Sequence, residues 1–304
     1  MTRNVTASVH QRLLNRARAE RRPFNELLQH FAMERLLYRL GRSAYRQRFV
    51  LKGALMFMVW QAHPSRYTRD IDLLGRMNNA VEDVVSAIQA ICQEPAPEDG
   101  LSFAAESVVG ERIVEAANYE GVRIRLVAYL GRARIPLQLD IGFGDPVVPG
   151  PSLIRLPTLL DFPAPELQGY SRESAIAEKL HAMVYFGAIN SRMKDFYDIW
   201  LLATCSQFDG RILARAIRET FNVRQTVLPS SPTAFSNAFA DDDEKQAQWT
   251  AFLRQHRVKD APATLSETIR SIAAFLHPVL HSLTAGKSFS RRWPPGGPWT
   301  QLEG

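Results

Sequence analysis

The sequence predicts an α+β protein, with a mixed α/β half of roughly 150 residues followed by a helical half. Three observations support this class. The chain of 304 residues is 46% apolar, which is enough for the packed core of one large domain or two ordinary ones. Between residues 101 and 145, apolar side chains alternate with polar or small ones, as in half-buried strands. From about residue 171 onward they recur with the helical period.

The N-terminal elements follow from their ends as well as from their periodicity. Residues 1–42 contain two predicted helices, and the second begins near Pro23 and ends at Gly41, the ends that proline and glycine prefer. "RFVLKG" at 48–53 predicts a short strand that enters a glycine turn, and "ALMFMVWQA" predicts a helix behind it. "TRDIDLLG" predicts a second strand. The apolar spacing over 80–91 then predicts another amphipathic helix.

Strands and then helices are predicted for the rest of the chain. Val122, Ile124 and Leu126 alternate with their neighbours, and the same period of two continues over 135–143. The Pro-rich stretch "DPVVPGPSLIRLPTLLDFPAPELQGY" predicts a linker between the two halves. Helical periods follow in five segments, near residues 171–186, 191–204, 210–221, 243–256 and 264–283.

Four parts are predicted from these elements. They are N-terminal helices that pack on the core (1–42), an α/β core (43–165), a helical domain (166–285) and a disordered tail (286–304). The tail is predicted from "RRWPPGGPWTQLEG", which lacks the means to build a core.

Composition excludes several classes of protein. Cys92 and Cys205 lie far apart without metal-ligand spacing, so we expect two buried thiols, with neither a disulfide framework nor a zinc site. No apolar run is long enough to span a membrane, and no apolar signal core is present, so we expect a cytoplasmic protein with no membrane partner. A net charge of +6 and a pI near 9.5 favour polyanionic partners such as nucleotides or nucleic acid.

The stretch "YTRDIDLLG" contains two carboxylates inside an apolar run. On a strand, Asp70 and Asp72 share one face while Ile71 and Leu73 take the other, and their β-carbons stand about 6 to 7 Å apart. Two carboxylates at this spacing can hold a pair of divalent cations, as in phosphoryl transfer. The alternative interpretation is an exposed edge strand with solvated aspartates.

Three further features favour the metal hypothesis. Asp140 in "LQLDIGFGD" would supply a third carboxylate from a neighbouring strand, although it also fits a turn-proximal aspartate. Gly53 ends a strand and opens a helix, a turn that exposes backbone N–H groups to phosphate, although it also fits a plain tight turn. Within "SRMKDFYDIWLLA", Lys194, Asp195 and Asp198 share one side of a helix, either as part of a polyphosphate site or as a surface ion pair.

Taken together, these residues resemble a known family. The pattern is similar to that of the AbiEii/AbiGii-type nucleotidyltransferase toxins, which are related to the MenT toxins. It consists of Gly53 before a helix, hDhDh at 69–73, Asp140 and the segments "AEKLHA" and "SRMKDFYDIWLL". The resemblance runs from about Phe49 to Ala203. It implies a DNA polymerase β-like nucleotidyltransferase core, a mixed sheet with flanking helices, plus a C-terminal helical domain that completes the active-site cleft.

The resemblance also implies an activity and partners. Such proteins are the toxin halves of toxin–antitoxin or phage-defence systems, paired with an antitoxin that is usually a transcriptional regulator. They bind an NTP with Mg²⁺ (or Mn²⁺), and some MenT toxins add nucleotides to the 3′ end of tRNA. We therefore expect a nucleotidyltransferase that transfers NMP to RNA.

Site residues carry over by position. The resemblance implies that Asp70, Asp72 and Asp140 are metal ligands and that these three, with Lys179 and Asp195, are the catalytic residues. It places nucleotide binding on Gly53, Ala54, Arg69, Lys179, Lys194 and Asp198. Asp140 would complete a metal shell or act as base, and Asp195 or Asp198 would orient Lys194. The first motif departs from the family pattern, since Gly53-Ala54 stands where Gly-Gly or Gly-Ser is usual, which removes one hydroxyl contact to phosphate.

Three alternatives remain open at this stage. The first is a nucleotide-binding or antitoxin-binding protein of the same fold that has lost turnover. The second is a DxD glycosyltransferase, which also places Mg²⁺ or Mn²⁺ on paired aspartates. The third is a DNA-binding regulator, although no helix-turn-helix is evident.

Overall fold

The computed structural model describes residues 5–60, 68–115 and 119–302. The chain divides into two compact units. The sheet unit comprises residues up to Gly144 together with Ser152–Gly169, and the helical unit comprises Asp145–Pro151 and Tyr170 onward. The predicted combination of a mixed sheet with helices is confirmed. Within the described residues, no helix combines the length and the apolar character that a membrane crossing requires.

The sheet unit is built on seven strands in the order β3-β4-β5-β2-β1-β7-β6. The β2–β5 and β1–β7 pairs are parallel and the other pairs are antiparallel. Strand β2, which carries the paired aspartates, is therefore an interior strand. The strands are β1 (Phe49–Lys52), β2 (Asp70–Gly75), β3 (Leu101–Glu115), β4 (Tyr119–Leu130), β5 (Ala133–Phe143), β6 (Ser152–Arg155) and β7 (Glu166–Gly169).

Four helices belong to the same unit: α1 (Val5–Glu20), α2 (Phe24–Arg42), α3 (Leu55–Val59) and α4 (Val81–Gln93). Helix α4 packs against β3 at Gly110, where a β-carbon would lie 2.7 Å from the Val81 side chain. Helix α2 is buried almost all round, and Arg35 and Arg39 of this helix pair with the buried carboxylate of Asp99. Two guanidinium groups on one carboxylate anchor α2 to the chain before β3.

Within its described residues, the helical unit contains six α-helices, two short 3-10 helices and a small three-stranded sheet of order β10-β9-β8. Helix α5 is capped by Ser171, whose hydroxyl accepts the backbone N–H of Ser174, and packs chiefly on α7. The elements are α5 (Arg172–Phe186), α6 (Met193–Cys205), β8 (Phe208–Asp209), α7 (Gly210–Val223), α8 (Asn237–Ala240), α9 (Asp243–His256), α10 (Leu265–Thr284), β9 (Arg291–Trp293) and β10 (Thr300–Gln301).

The structure corrects the predicted disordered tail. Strand β9 pairs with β8 and with β10, and the Trp293 side chain is buried. Its indole N–H donates to the Ala203 carbonyl, and Trp299 donates to the Phe275 carbonyl. Tryptophan buries a large apolar area and also needs a partner for its N–H group, so two of them order a segment rich in proline and glycine. Residues 303 and 304 of the predicted tail lie outside the described residues.

Three other expectations change. The Pro-rich stretch predicted as a linker contains β6 and β7, which complete the sheet and place the end of the sheet unit at Gly169 rather than at residue 165. Strands of four residues are too short to show a clear period. Cys205 is exposed and only Cys92 is buried. Of the helix predicted after Gly53, residues 55–59 are helical, and residues 61 and 62 lie outside the described residues.

Candidate active site

The paired aspartates lie on one face of the interior strand β2. Asp72 stands between Lys52 of β1 and Asp140 of β5 in register, and Asp70 stands opposite Gln138. All these side chains are half-buried, whereas Ile71 on the other face is fully buried. The alternative interpretation as an exposed edge strand is therefore wrong, and the sheet presents a polar face here.

Asp140 is part of this face but is held by an arginine. Arg123 of β4, directly opposite Asp140, donates from Nε to one carboxylate oxygen and from a terminal nitrogen to the other, both at 2.8 Å. Gln138 Nε2 also donates to Asp140, at 3.2 Å. The hydrogen bonds to Asp140 raise the pKa of Arg123. A two-point pair of this kind is the strongest contact that a carboxylate makes with a side chain.

The metal set implied by the sequence is therefore incomplete in this structure. Among residues 5–60, 68–115 and 119–302, no three side chains of His, Cys, Asp or Glu are grouped so as to hold a metal ion. Asp140 lies beside Asp72 in the sheet, but both of its oxygens are engaged by Arg123. Asp70 and Asp72 are the other two carboxylates on this face of β2 and β5.

Gly53 holds the turn that faces Asp72. Its φ of +70° lies in the left-handed region, and a β-carbon there would stand 1.9 Å from Asp72 Oδ2. Only glycine fits both the backbone conformation and the close approach. Ala54 follows and is buried. The helix behind it has only five residues, and the N–H groups of its second and third residues, Met56 and Phe57, already bond to the carbonyls of Gly53 and Ala54. The dipole of so short a helix adds little to phosphate binding.

A cavity of about 470 Å³ adjoins Asp70 in the sheet unit. Exposed Arg69 lines it, and the Arg69 carbonyl accepts a hydrogen bond from Gln29 of α2. Arg125, Arg134 and Gln138 also line it. The cavity is large enough for part of a nucleotide and combines positive charge with apolar walls.

The predicted residues of the helical unit form a buried ionic cluster. Lys179 Nζ on α5 lies 2.9 Å from Asp195 Oδ1 and 2.7 Å from Asp198 Oδ2, both on α6. Arg192 Nε lies 2.6 Å from the other oxygen of Asp195. Both carboxylates are about 1% exposed, whereas the Lys179 side chain is 15% exposed. The cluster therefore fixes the ammonium group of Lys179 between two carboxylates.

Charge keeps Asp195 ionised in spite of its burial. Burial alone would raise the pKa of its carboxyl group, but Lys179 and Arg192 outweigh that effect and hold the pKa well below its usual range. Asp195 also lies in the first turn of α6, where the helix dipole favours a negative charge.

The structure changes the role expected for Lys194. Its side chain is exposed, and the carboxylates of Asp195 and Asp198 contact Lys179, which the sequence placed in a separate motif. The interpretation of Lys194 and Asp198 as a surface pair is also wrong, because Asp198 is buried.

A second buried network holds the same part of α5. Tyr170 donates its hydroxyl to Glu178, the residue before Lys179, and Arg224 makes two hydrogen bonds to Asp145 and one to His181 Nδ1. Burial, followed by the charge of Glu178, raises the pKa of Tyr170 well above its usual value, so its hydroxyl stays protonated and remains a donor. This network orients the turn that carries Lys179.

Three contributing residues were not predicted as site residues: Lys52, Arg123 and Gln138. Arg123 and Gln138 occupy polar positions of strands that the alternation did predict, so the signal was present. Gln138 contacts Asp140 two residues along the same strand, whereas the partner of Arg123 became visible only with the strand register, which pairs residues 17 positions apart.

Comparison with known proteins identifies relatives. Residues 35–276 match the model of a family described as nucleotidyl transferase AbiEii toxin, type IV TA system. No match is found among curated proteins. Among solved structures, JHP933 from Helicobacter pylori is 14% identical with a TM-score of 0.48, covering 86% of this chain and 95% of that one. A structure described as "putative nucleotidyltransferase from H. pylori" is also 14% identical, with a TM-score of 0.47 and coverage of 84% and 96%.

Proposed function

The chain belongs to the AbiEii nucleotidyltransferase toxin family of type IV toxin–antitoxin systems, and from that premise we propose that it transfers a nucleoside monophosphate from an NTP to the 3′ end of an RNA, tRNA in particular. The observation that carries the proposal is the pair Asp70 and Asp72 on an interior strand, with the Gly53 turn packed directly against Asp72. We also propose that the sheet unit is a DNA polymerase β-like core, which the mixed sheet and this Gly turn support. Family membership does not support the glycosyltransferase alternative.

The residues on this face fit Mg²⁺. Asp70 and Asp72 supply hard carboxylate oxygens from one strand face, and the Gly53 turn leaves no β-carbon beside Asp72. Mg²⁺ at phosphoryl-transfer sites is commonly held by one or two carboxylates together with water and the phosphates of the substrate, so a third protein carboxylate is not required. When bound, Mg²⁺ would neutralise the triphosphate and lower the pKa of the attacking hydroxyl.

The protein's own side chains have distinct tasks in the proposed reaction. Asp70 and Asp72 would hold the metal, and Arg123 orients the Asp140 carboxylate beside them through two hydrogen bonds. Lys179, fixed by Asp195 and Asp198, would supply positive charge to a phosphate oxygen of the nucleotide.

The bonds exchanged in the transfer are as follows. The RNA 3′ oxygen forms a bond to the α-phosphorus of the NTP, the bond from that phosphorus to the β-phosphate oxygen breaks, and pyrophosphate leaves. The hydroxyl proton passes to solvent or to a neighbouring base.

A second candidate function has an observation in its favour. The two-point pair between Arg123 and Asp140 removes a carboxylate from the metal set, and Ala54 removes a hydroxyl from the first motif. Both changes fit a protein of this family that binds a nucleotide or its antitoxin without turnover. The family implies an antitoxin partner under either proposal.

Nucleotide incorporation distinguishes the two candidates. The protein is incubated with total RNA, Mg²⁺ and each α-labelled NTP in turn, beside Asp70→Asn and a control, Asp260→Asn, which alters an exposed loop aspartate. Label on RNA that is lost with Asp70→Asn and kept with Asp260→Asn supports the transferase. Label on the protein would identify a protein acceptor and contradict the RNA substrate. Nucleotide binding without label on any acceptor would support the binding-only candidate.

A further inference from the structure

A second basic cavity lies at the other edge of the sheet unit, away from the aspartates. It measures about 770 Å³ and lies where the end of α2 and the following turn meet β6 and β7. We call it the edge cavity. Arg42, Arg46 and Arg155 line it, together with the amide side chains of Gln47 and Gln168.

Local packing explains why these residues converge. Gly41 of α2 lies so close to β7 that a β-carbon there would stand 2.3 Å from the Glu166 carbonyl oxygen, so the helix end meets the strand directly. Arg42 follows at once. Strand β6 is the outermost strand, and Arg155 stands opposite Glu166 in register.

The charge of the edge cavity is largely uncompensated. All three arginines are exposed, and none forms an ion pair with another residue in the described part of the chain. Glu166 is the carboxylate among the lining residues, so three positive charges face one negative charge. The Arg123 guanidinium, by contrast, is satisfied by Asp140. Exposed guanidinium groups bind phosphate in paired geometry and at little cost of desolvation.

Strand register connects the edge cavity to the aspartates. Arg155 pairs with Glu166, two residues from Gln168, which pairs with Val50. Val50 in turn lies two residues from Lys52, the partner of Asp72, so these strand positions share one sheet face. Arg155 lies three strand spacings across the sheet and four residues along the strands from Asp72. The backbone positions of the two residues are therefore roughly 19 Å apart. Both sites thus lie on the same face of the sheet, with the buried side chain of Val50 between them.

We infer that the edge cavity binds the phosphodiester backbone of the RNA whose 3′ end reacts at Asp70 and Asp72. The inference rests on the proposed function for the identity of the occupant. An RNA whose 3′ end lies at the aspartates carries a row of phosphates over the surface of the same unit, which suits three exposed arginines that form no ion pair within the described residues. The cavity positions the RNA by its backbone and reads no sequence.

Binding measured without NTP and without Mg²⁺ tests this inference separately from turnover. Fluorescence anisotropy of labelled tRNA is recorded at several salt concentrations for the full chain, for Arg42→Ala/Arg46→Ala/Arg155→Ala, and for Arg270→Ala. The control removes an exposed arginine of α10 that lies far along the chain from the cavity. Far-UV circular dichroism and melting temperature establish that each variant is folded.

The expected result follows from counterion release. Each lost phosphate contact lowers the slope of log K against log salt by about 0.7 to 0.9, so the triple variant should lose about 2 to 3 from the slope and at least tenfold in affinity at low salt. Arg270→Ala should change the slope and the affinity by no more than the loss of one positive charge outside the cavity would. An unchanged slope and affinity in the triple variant would overturn the inference.

Three further outcomes separate this inference from the alternatives. If the triple variant binds tRNA normally but loses binding to a poly-glutamate peptide that the wild-type chain binds, the cavity takes an acidic protein segment and the RNA assignment is wrong. If the wild-type chain incorporates no nucleotide yet shows the expected salt slopes, the proposed function fails and the edge cavity stands. If the wild-type chain incorporates nucleotide and its salt slope equals that of the triple variant, the proposed function stands and the inference about the edge cavity fails.

Discussion

Replacement of Gly53 by alanine tests how closely the turn before α3 controls the position of Asp72. A β-carbon at Gly53 would lie 1.9 Å from Asp72 Oδ2 and 2.7 Å from Asp72 Cβ. Rotation of the carboxylate can relieve the first contact. The second involves an atom that the strand itself holds in place, so the backbone of β1 or β2 has to shift. Gly53→Ala should therefore displace Asp72 as well as strain the turn.

The magnitude follows from two separate effects. A φ of +70° costs an L-residue about 1–2 kcal/mol, and forcing a methyl group into a packed site costs about a further 1–3 kcal/mol. Gly131→Ala is the matched control in the same unit, since Gly131 has a φ of +60° and its β-carbon would meet only a Thr6 methyl group, at 3.1 Å. Gly131→Ala therefore includes the cost of the left-handed backbone conformation but little of the cost of packing a methyl group.

Calorimetry and nucleotide incorporation provide the two measurements. The melting temperature of Gly53→Ala should fall below that of Gly131→Ala by about 2–12 °C, given about 2–4 °C per kcal/mol for a unit of this size. At a temperature where both variants are folded, Gly53→Ala should lose nucleotide incorporation and Gly131→Ala should keep it. If the two variants melt together and Gly53→Ala remains active, the contact between the turn and Asp72 does not position the carboxylate, and the reasoning is refuted.

Three further predictions concern burial and charge. Lys179→Met should lower the free energy of unfolding by about 3–5 kcal/mol in urea titrations because two buried carboxylates lose their cation. The control Lys194→Met should change it by less than about 0.5 kcal/mol because the Lys194 side chain is exposed. Equal effects of the two substitutions would contradict the buried cluster. Burial raises the pKa of Glu34 to about 7, so the folded state binds its proton more tightly than the unfolded state, and stability should fall by on the order of 3 kcal/mol as pH rises from about 4.5 through 7. Glu34→Gln should flatten that pH profile, and a profile that keeps its slope would show that another group titrates. An aromatic disulfide reagent should modify the exposed Cys205 in the native protein. It should modify Cys92 only in urea, because burial shields this thiol and raises its pKa to about 12. Rapid labelling of both cysteines in the native state would count against the burial of Cys92.

The outcome for Asp140 illustrates what strand alternation can and cannot predict. Alternation identifies Asp140 as a polar-face residue of its strand, and the structure places it beside Asp72. Alternation is silent on register, and register sets Arg123 opposite Asp140, where the guanidinium engages both carboxylate oxygens. The same arginine therefore changes a residue implied as a metal ligand into half of an ion pair.

The helical cluster shows the corresponding limit for helices. The helical period places Asp195 and Asp198 on one side of α6, and it placed Lys179 away from the apolar stripe of α5. Which cation those carboxylates would meet depends on how the two helices pack. A neighbour in sequence, Lys194, was the expected partner, but packing brought Lys179 to both carboxylates.

The sequence by itself determined much of the local order of this protein: where the longer helices and strands lie, that Asp70 and Asp72 share a strand face, and that a glycine turn stands ahead of them. These features follow from periods of 3.6 and 2 and from the conformations of glycine and proline, which act over a few residues. Only the tertiary structure decided which charges meet, that short strands complete the sheet, and that two tryptophans order the tail. The physical reason is that ion pairs and buried contacts join residues far apart in the chain, and their partners depend on register and packing.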